Sequence, residues 1–204
     1  SKMDLIFAHN ESDSKFYKGL FPDMKVEVMR TLMITDLIAE PLKKEDETII
    51  GGNFSRWYGG FQSYLIAQQF ENDIWIQSSH SKRVNEDRLD NLNHLKRVPW
   101  LDWVNNLSRY KYAVHMMPTV AAGTFSLNCA YWGIPCIGND KVDTQRLCFP
   151  DLSVDIDDVD SAIKCTVKLK DETFYNEVSE KSKELYNKYY SLEAWKDNFS
   201  KINF

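Results

Sequence analysis

Cysteine is scarce in this chain, and the four present, Cys129, Cys136, Cys148 and Cys165, are spaced neither as a CxxC pair nor as a zinc framework. Cys129 and Cys136 fall in apolar stretches, where a thiol acts as a small buried hydrophobe. No block of Lys and Arg stands out, and the formal net charge is −5. That argues against a protein gripping nucleic acid through its phosphates. No apolar run approaches the ~18 residues of a membrane span. No charged-then-apolar segment opens the chain, so the expected location is cytoplasmic. Four Asn-x-Ser sequons, at Asn10, Asn53, Asn106 and Asn198, are discounted because nothing else suggests secretion. Internal repeats and low-complexity tracts are missing too. The acidic run Asp155-Ile156-Asp157-Asp158-Val159-Asp160 lacks the glycine and terminal Glu of a calcium hand, and helix capping explains it better. No metal is therefore expected.

What remains is a globular chain. Six Trp, ten Tyr and eleven Phe exclude a disordered one. Its 204 residues correspond to one domain, or one plus a piece of another.

The first 36 residues carry a pattern of their own. Asp4-Leu5-Ile6-Phe7-Ala8 reads as a buried strand ending at His9-Asn10. Ser12 or Asp13 then caps a helix running to Leu20. Lys25-Val26-Glu27-Val28-Met29 alternates like a strand with one buried face. Strand, helix and strand make one βαβ unit, too small to hold a core alone. Residues 39–48 are polar, charged and broken by Pro41, as a linker requires.

Beyond them the pattern alternates. Strands are expected at Ile49-Ile50-Gly51-Gly52, Ile74-Trp75-Ile76-Gln77, residues 95–98, Tyr112-Ala113-Val114-His115-Met116 and Ile134-Pro135-Cys136-Ile137. Helices are expected around Phe61, Tyr64, Leu65 and Phe70, then over 86–92, 102–110 and 124–132, with Gly133 stopping the last. After Asp157 the chain reads as helical to its end. Strands alternating with helices predict an α/β fold, a Rossmann-like, doubly wound parallel sheet covered on both faces.

Such sheets bind ligands beyond the carboxyl ends of their strands, where the strand order reverses. For an order 3-2-1-4-5 that crevice lies between the first and fourth strands. It receives Gly51, Gly52, Gly59 and Gly60 from one loop and Gly123-Thr124-Phe125-Ser126 from the other. Free N–H groups at two helix N-termini favour a diphosphate there, and Arg56 adds a full positive charge. The bland alternative is that these glycines serve turn geometry alone.

Gly123-Thr124-Phe125-Ser126-Leu127-Asn128-Cys129-Ala130-Tyr131-Trp132-Gly133-Ile134-Pro135-Cys136-Ile137 resembles the donor-site helix and strand of GT-B glycosyltransferases, in particular the family 4-like, group 1 enzymes. The opening βαβ resembles the end of their N-terminal domain. Ile49-Ile50-Gly51-Gly52-Asn53 resembles the first strand and loop of their C-terminal domain, and Tyr190-Ser191-Leu192-Glu193-Ala194-Trp195 their closing helix. The resemblance implies residues 1–38 as the tail of an acceptor domain, 39–48 as linker and 49–204 as a nucleotide-sugar donor domain. It implies a nucleoside-diphosphate sugar as substrate, a carbohydrate or lipid-linked acceptor, no bound metal or other cofactor, and retention of anomeric configuration. Trp100 would lie near the nucleobase, or else cover the sheet edge; Trp103 has core spacing.

The chain departs from the family at its charged positions. Two acidic residues usually stand seven apart around the turn; Val120 and Asn128 stand there instead. Asn128 retains the donors and acceptors to hold ribose hydroxyls. Asn53 takes the place of the family's Arg, and Trp57-Tyr58 stand near its Lys, leaving Arg56 as the nearest substitute and Lys82 and Arg83 as weaker ones. A complete two-domain enzyme is roughly twice as long, so the expected partner is a missing N-terminal half or another chain. Losing the acidic pair leaves a second reading open, a non-catalytic nucleotide-binding or interaction module of the same fold. An NAD-binding domain ranks below both, because no G-x-G-x-x-G follows a strand. His9, His80 and His115 have no visible catalytic partner.

Overall fold

The computed structural model describes residues 4–77 and 85–202. The chain begins with strand β1 (Leu5–Ala8), helix α1 (Glu11–Leu20) and strand β2 (Lys25–Val28). The two strands run parallel, Leu5 opposite Lys25 and Ala8 opposite Val28. Helix α1 is capped by Asn10 rather than by Ser12 or Asp13. Asn10 has an extended backbone, and its Oδ1 accepts the Asp13 N–H at 2.7 Å, the geometry a cap requires.

The other strands are β3 (Glu45–Ile50), β4 (Asp73–Gln77), β5 (Leu92–Leu95), β6 (Tyr110–His115), β7 (Cys136–Asn139) and β8 (Ser153–Val154). They form one parallel sheet in the order β5-β4-β3-β6-β7-β8. This is the expected 3-2-1-4-5 order with one short strand added. Ile49, Ile50, Ala113 and Val114, at its centre, are fully buried. The flanking helices are α2 (Gly60–Ala67), α3 (Trp100–Leu107), α4 (Thr124–Trp132), α5 (Asp143–Cys148), α6 (Val159–Leu169), α7 (Glu172–Tyr190) and α8 (Leu192–Ser200). Helix α2 packs on β3, β6 and α6, whereas α4 packs among α3, α5 and α7. No helix among the described residues is long and apolar enough to cross a membrane.

Several boundaries differ from the sequence pattern, each for a local reason. Strand β3 starts at Glu45, inside the polar stretch. Arg109 pairs with Glu45 at 2.7 Å and Glu47 at 3.0 Å, and Lys111 pairs with Asp46 at 3.3 Å, so the neighbouring strand offsets its acidity. Strand β5 lies three residues earlier than expected, and the helix expected before it is a single 3-10 turn, Glu86–Arg88. Asn85, left-handed, stands at the N-cap of that turn, and Asn91, also left-handed, directly precedes β5. Strand β7 starts at Cys136 because the Ile134 N–H is committed to Cys129 O at 2.8 Å and Pro135 has none to give. Helix α3 starts directly after Pro99 and stops before Tyr110, which already pairs with Glu45.

The N-terminal βαβ unit docks beside the carboxyl end of this sheet. The Glu11 N–H, in the first turn of α1, donates to Asp143 Oδ2 at 3.1 Å. Arg30 lies 4.0 Å from Glu11 and over the Tyr189 ring of α7. Phe7 and Met29 share a cavity with Trp195 and Phe199 of α8. The unit still leaves Phe16, Leu20 and Phe21 exposed.

Phe149 joins α5 to β8 and is completely buried in the main core. Phe149→Ala is expected to cost ~3–5 kcal/mol through lost burial and an unfilled cavity. Urea unfolding followed by circular dichroism measures it.

Candidate functional site

At the carboxyl ends of β3 and β6 the chain departs in two directions, toward α2 from one strand and toward α4 from the other. The two loops are held together by backbone contact. Gly59 is left-handed, and a β-carbon on it would lie 1.7 Å from Met116 O. Ser63 Oγ donates to Gly59 O at 2.9 Å and accepts from the Met116 N–H at 2.8 Å. Thr119 Oγ1 donates to Trp57 O at 2.8 Å. Deeper down, Gly51 faces the His115 ring, where a β-carbon would come within 2.6 Å. The glycines therefore first satisfy loop-to-loop packing, as the turn-geometry alternative required.

That packing leaves two helix N-termini without side-chain caps, although the Gly60 N–H of α2 already donates to Asn53 O at 3.1 Å. Gly59 and Gly123 stand at the N-caps of α2 and α4, and neither helix has a side-chain cap. Helices α1, α6, α7 and α8 are capped by the side chains of Asn10, Asp158, Asp171 and Ser191, whereas α3 and α5, like α2 and α4, have no side-chain cap. First-turn N–H groups without a capping oxygen attract anions. The loops around them, residues 51–59 and 116–123, contain no carboxylate.

The expected site residues divide into groups. Trp100, 47 % exposed, Thr124 and Asn128 line one cavity of about 220 Å³ with Thr31 and Met33 of the segment after β2. Asn128 is only 5 % exposed and has no side-chain hydrogen bond among the described residues. Arg56 is exposed on the β3–α2 loop with no ion pair among the described residues. Gly52, left-handed, lies over Tyr58. Asn53 Oδ1 is committed to the Ser55 N–H at 2.8 Å. Phe125 packs edge-on against His115 with centroids 5.0 Å apart. Ser126 is buried and gives its hydroxyl to Gln145 Oε1 at 2.9 Å, so only the main chain of these last two remains for a ligand. Trp103 is buried in the core. Lys82, Arg83 and His80 lie outside the described residues.

Residues 139–145, which lead from β7 into helix α5, support the α4 terminus. Asn139 Nδ2 donates to Met117 O at 2.8 Å, and Thr144 Oγ1 to Gly123 O at 2.7 Å. Gln145 Nε2 donates to Cys136 O at 2.7 Å while its oxygen receives Ser126. The only sequence signal was a run of small polar residues directly after a strand. Among the described residues no group of three or more His, Cys, Asp or Glu is placed to hold a metal.

His115 sits beneath this crevice with its Nε2 buried and without a partner. Burial alone lowers its pKa to about 4, so the ring is neutral at physiological pH.

No family model matches the sequence, and no curated protein does so significantly. The fold does have solved counterparts. Sucrose-phosphate synthase from Thermosynechococcus elongatus superposes with a TM-score of 0.75 at 14 % identity, over 98 % of this chain and 57 % of that one. A TarM variant from S. aureus, in complex with fondaparinux, alpha-GlcNAc-glycerol and UDP, gives 0.76 at 10 % identity over 97 % and 43 %. The pneumococcal O-GlcNAc transferase GtfA, in complex with UDP and GlcNAc, gives 0.71 at 11 % identity over 97 % and 44 %. The fold is that of the GT-B glycosyltransferases. This chain spans between 43 % and 57 % of the length of these three.

The neutral state of His115 has a pH signature. Its folded pKa is below the ordinary ~6.5 of the unfolded chain. Its contribution is therefore complete above pH ~6.5, declines as pH falls toward about 4, and is constant below that. The swing is roughly 3 kcal/mol. Urea unfolding between pH 7 and pH 4 is expected to show this slope, and His115→Asn, which does not titrate, to flatten it.

Proposed function

We propose that this chain is the donor-binding part of a glycosyltransferase that uses a nucleoside-diphosphate sugar. The observation that carries the reading is the meeting of two helix N-termini without side-chain caps at the strand-order reversal, beside a cavity holding Trp100 and Asn128. The N–H groups of α2 and α4 would receive the diphosphate, and Arg56 would supply the net charge that helix dipoles lack. Trp100 would lie along the nucleobase. Asn128, buried and with no side-chain hydrogen bond among the described residues, would meet the ribose hydroxyls with an amide that both donates and accepts. During transfer the leaving diphosphate gains charge. Donors already in place stabilise it without reorganisation, and no metal or other cofactor is needed for this part of the reaction. Retention of configuration, family 4 kinship, a cytoplasmic location and a carbohydrate or lipid-linked acceptor complete the proposal. The acceptor side would come from a further segment or another chain, which the exposed Phe16, Leu20 and Phe21 of the βαβ unit support.

One observation favours a second reading. Val120 stands exposed where the family carries an acid, and neither crevice loop has a carboxylate to replace it. A module that holds a nucleotide without transferring sugar fits that surface equally well.

Calorimetric titration with UDP, GDP and ADP tests the common core of both readings. At least one is expected to bind below millimolar concentration, and Arg56→Ala to weaken it roughly tenfold, the worth of one charge-assisted contact. If none binds at millimolar concentration, the donor-site reading fails. Release of the nucleoside diphosphate from a bound sugar nucleotide then separates an enzyme from a binding module.

A further inference from the structure

At the end of the sheet opposite the crevice, the segment before β3 crosses helices α4 and α7 and encloses a groove of about 540 Å³. Its walls include Pro41, Tyr131, Trp132 and Tyr186, and its polar groups come from Lys44, Lys183 and Asn187. The walls are fixed in place. Trp132 Nε1 donates to Val104 O at 2.7 Å, and Tyr131 meets Trp132 and Tyr186 edge-on with centroids 4.9 and 5.3 Å apart.

Lys44 is exposed as a residue, yet its ammonium turns inward and donates to Tyr110 O at 2.9 Å. That is its one hydrogen bond among the described residues, and no carboxylate pairs with it. An ammonium has three protons to place. A neutral amine needs fewer partners and keeps a lone pair, so the setting favours the nucleophilic form. Burial is the main reason that the Lys44 pKa falls to about 8, and the like charge of Lys183 adds to it. Cys129, on α4, gives no opposing charge, because complete burial holds its thiol protonated. Lys183 also pairs with Glu180 at 2.8 Å, but both are solvent-exposed, so its charge still reaches Lys44 as the smaller effect.

We propose that Lys44 is a reversible carbamylation site, its amine capturing carbon dioxide within this groove. The Nζ lone pair attacks the carbon of CO2 and a C–N bond forms. One C–O π bond breaks, its electrons pass to oxygen, and Nζ loses a proton to solvent. The product is Nζ–H–COO⁻, with nothing oxidised or reduced. Each new group has a partner at hand. The remaining N–H would keep Tyr110 O, and the carbamate oxygens would face the Lys183 ammonium and the Asn187 amide, which line the same groove. The charge of Lys183, unfavourable beside an ammonium, becomes favourable beside a carbamate. This inference is independent of the donor-site reading.

The test uses the whole chain at pH 8 in 13C-labelled bicarbonate. Carbamate is followed by 13C NMR, then trapped by O-ethylation and located by peptide mass spectrometry. The trapped group is expected on Lys44, absent in Lys44→Arg and Lys44→Met, and reduced roughly fivefold in Lys183→Gln by loss of one nearby charge. Thermal unfolding of each variant confirms that it is folded. The α-amino group, whose pKa is ~8 in any chain, reports that the trapping works. A labelled α-amine with Lys44 unlabelled, or labelled no more than the other lysines, overturns the proposal.

Discussion

The carbonyl of Met116 lies where a β-carbon on residue 59 would have to be. This contact joins the loops leaving β3 and β6, and much of the crevice follows from it. With the backbones this close, Ser63 reaches both of them, and α2 begins directly above the end of β6. The α4 terminus is placed in a parallel way from the other side, where Gly123 lies against Thr144 and Val142. In both cases glycine is demanded by packing, and the uncapped N–H groups are a by-product of having no side chain at the cap. The packing constraint and the proposed binding surface thus share the same residues, so the turn reading and the anion-receptor reading are compatible.

Sequence made the middle of the sheet legible and its margins obscure. Strands β3, β4 and β6 each carry an apolar segment, and helix α4 is bounded by glycines at both ends, so period and punctuation agree there. Strand β5 was misplaced because Asn85 and Asn91 adopt left-handed backbones that Asn often but not always takes. Strand β8 has two residues, too few for any pattern. Helix α5 was hidden because Asp143, Thr144 and Gln145 look like loop residues until their hydrogen bonds to other segments are known.

The same distinction applies at the candidate site. The crevice and its two loops follow from local signals plus a strand order, whereas Trp100 and Asn128 are reached only through the family resemblance. The roles of Ser126 and Asn53 do not. Their hydroxyl and amide oxygens are spent on Gln145 and on the Ser55 N–H, within the protein itself. A polar side chain at the right position is available to a ligand only if no nearer partner claims it, and sequence spacing says little about that competition.

The βαβ unit has one more consequence. Among the described residues strands β1 and β2 pair only with each other, and each presents a row of N–H and C=O groups along its outer edge. The outer strands of the six-stranded sheet, of four and two residues, are edges no longer than these, so it is the exposed Phe7 and Phe16 that set the amino-terminal unit apart. Open edges beside exposed aromatic side chains are where strands of separate molecules pair. Aggregation of this chain at high concentration would therefore begin at its amino-terminal unit, and a covering polypeptide there would act as a solubility shield as well as a structural neighbour.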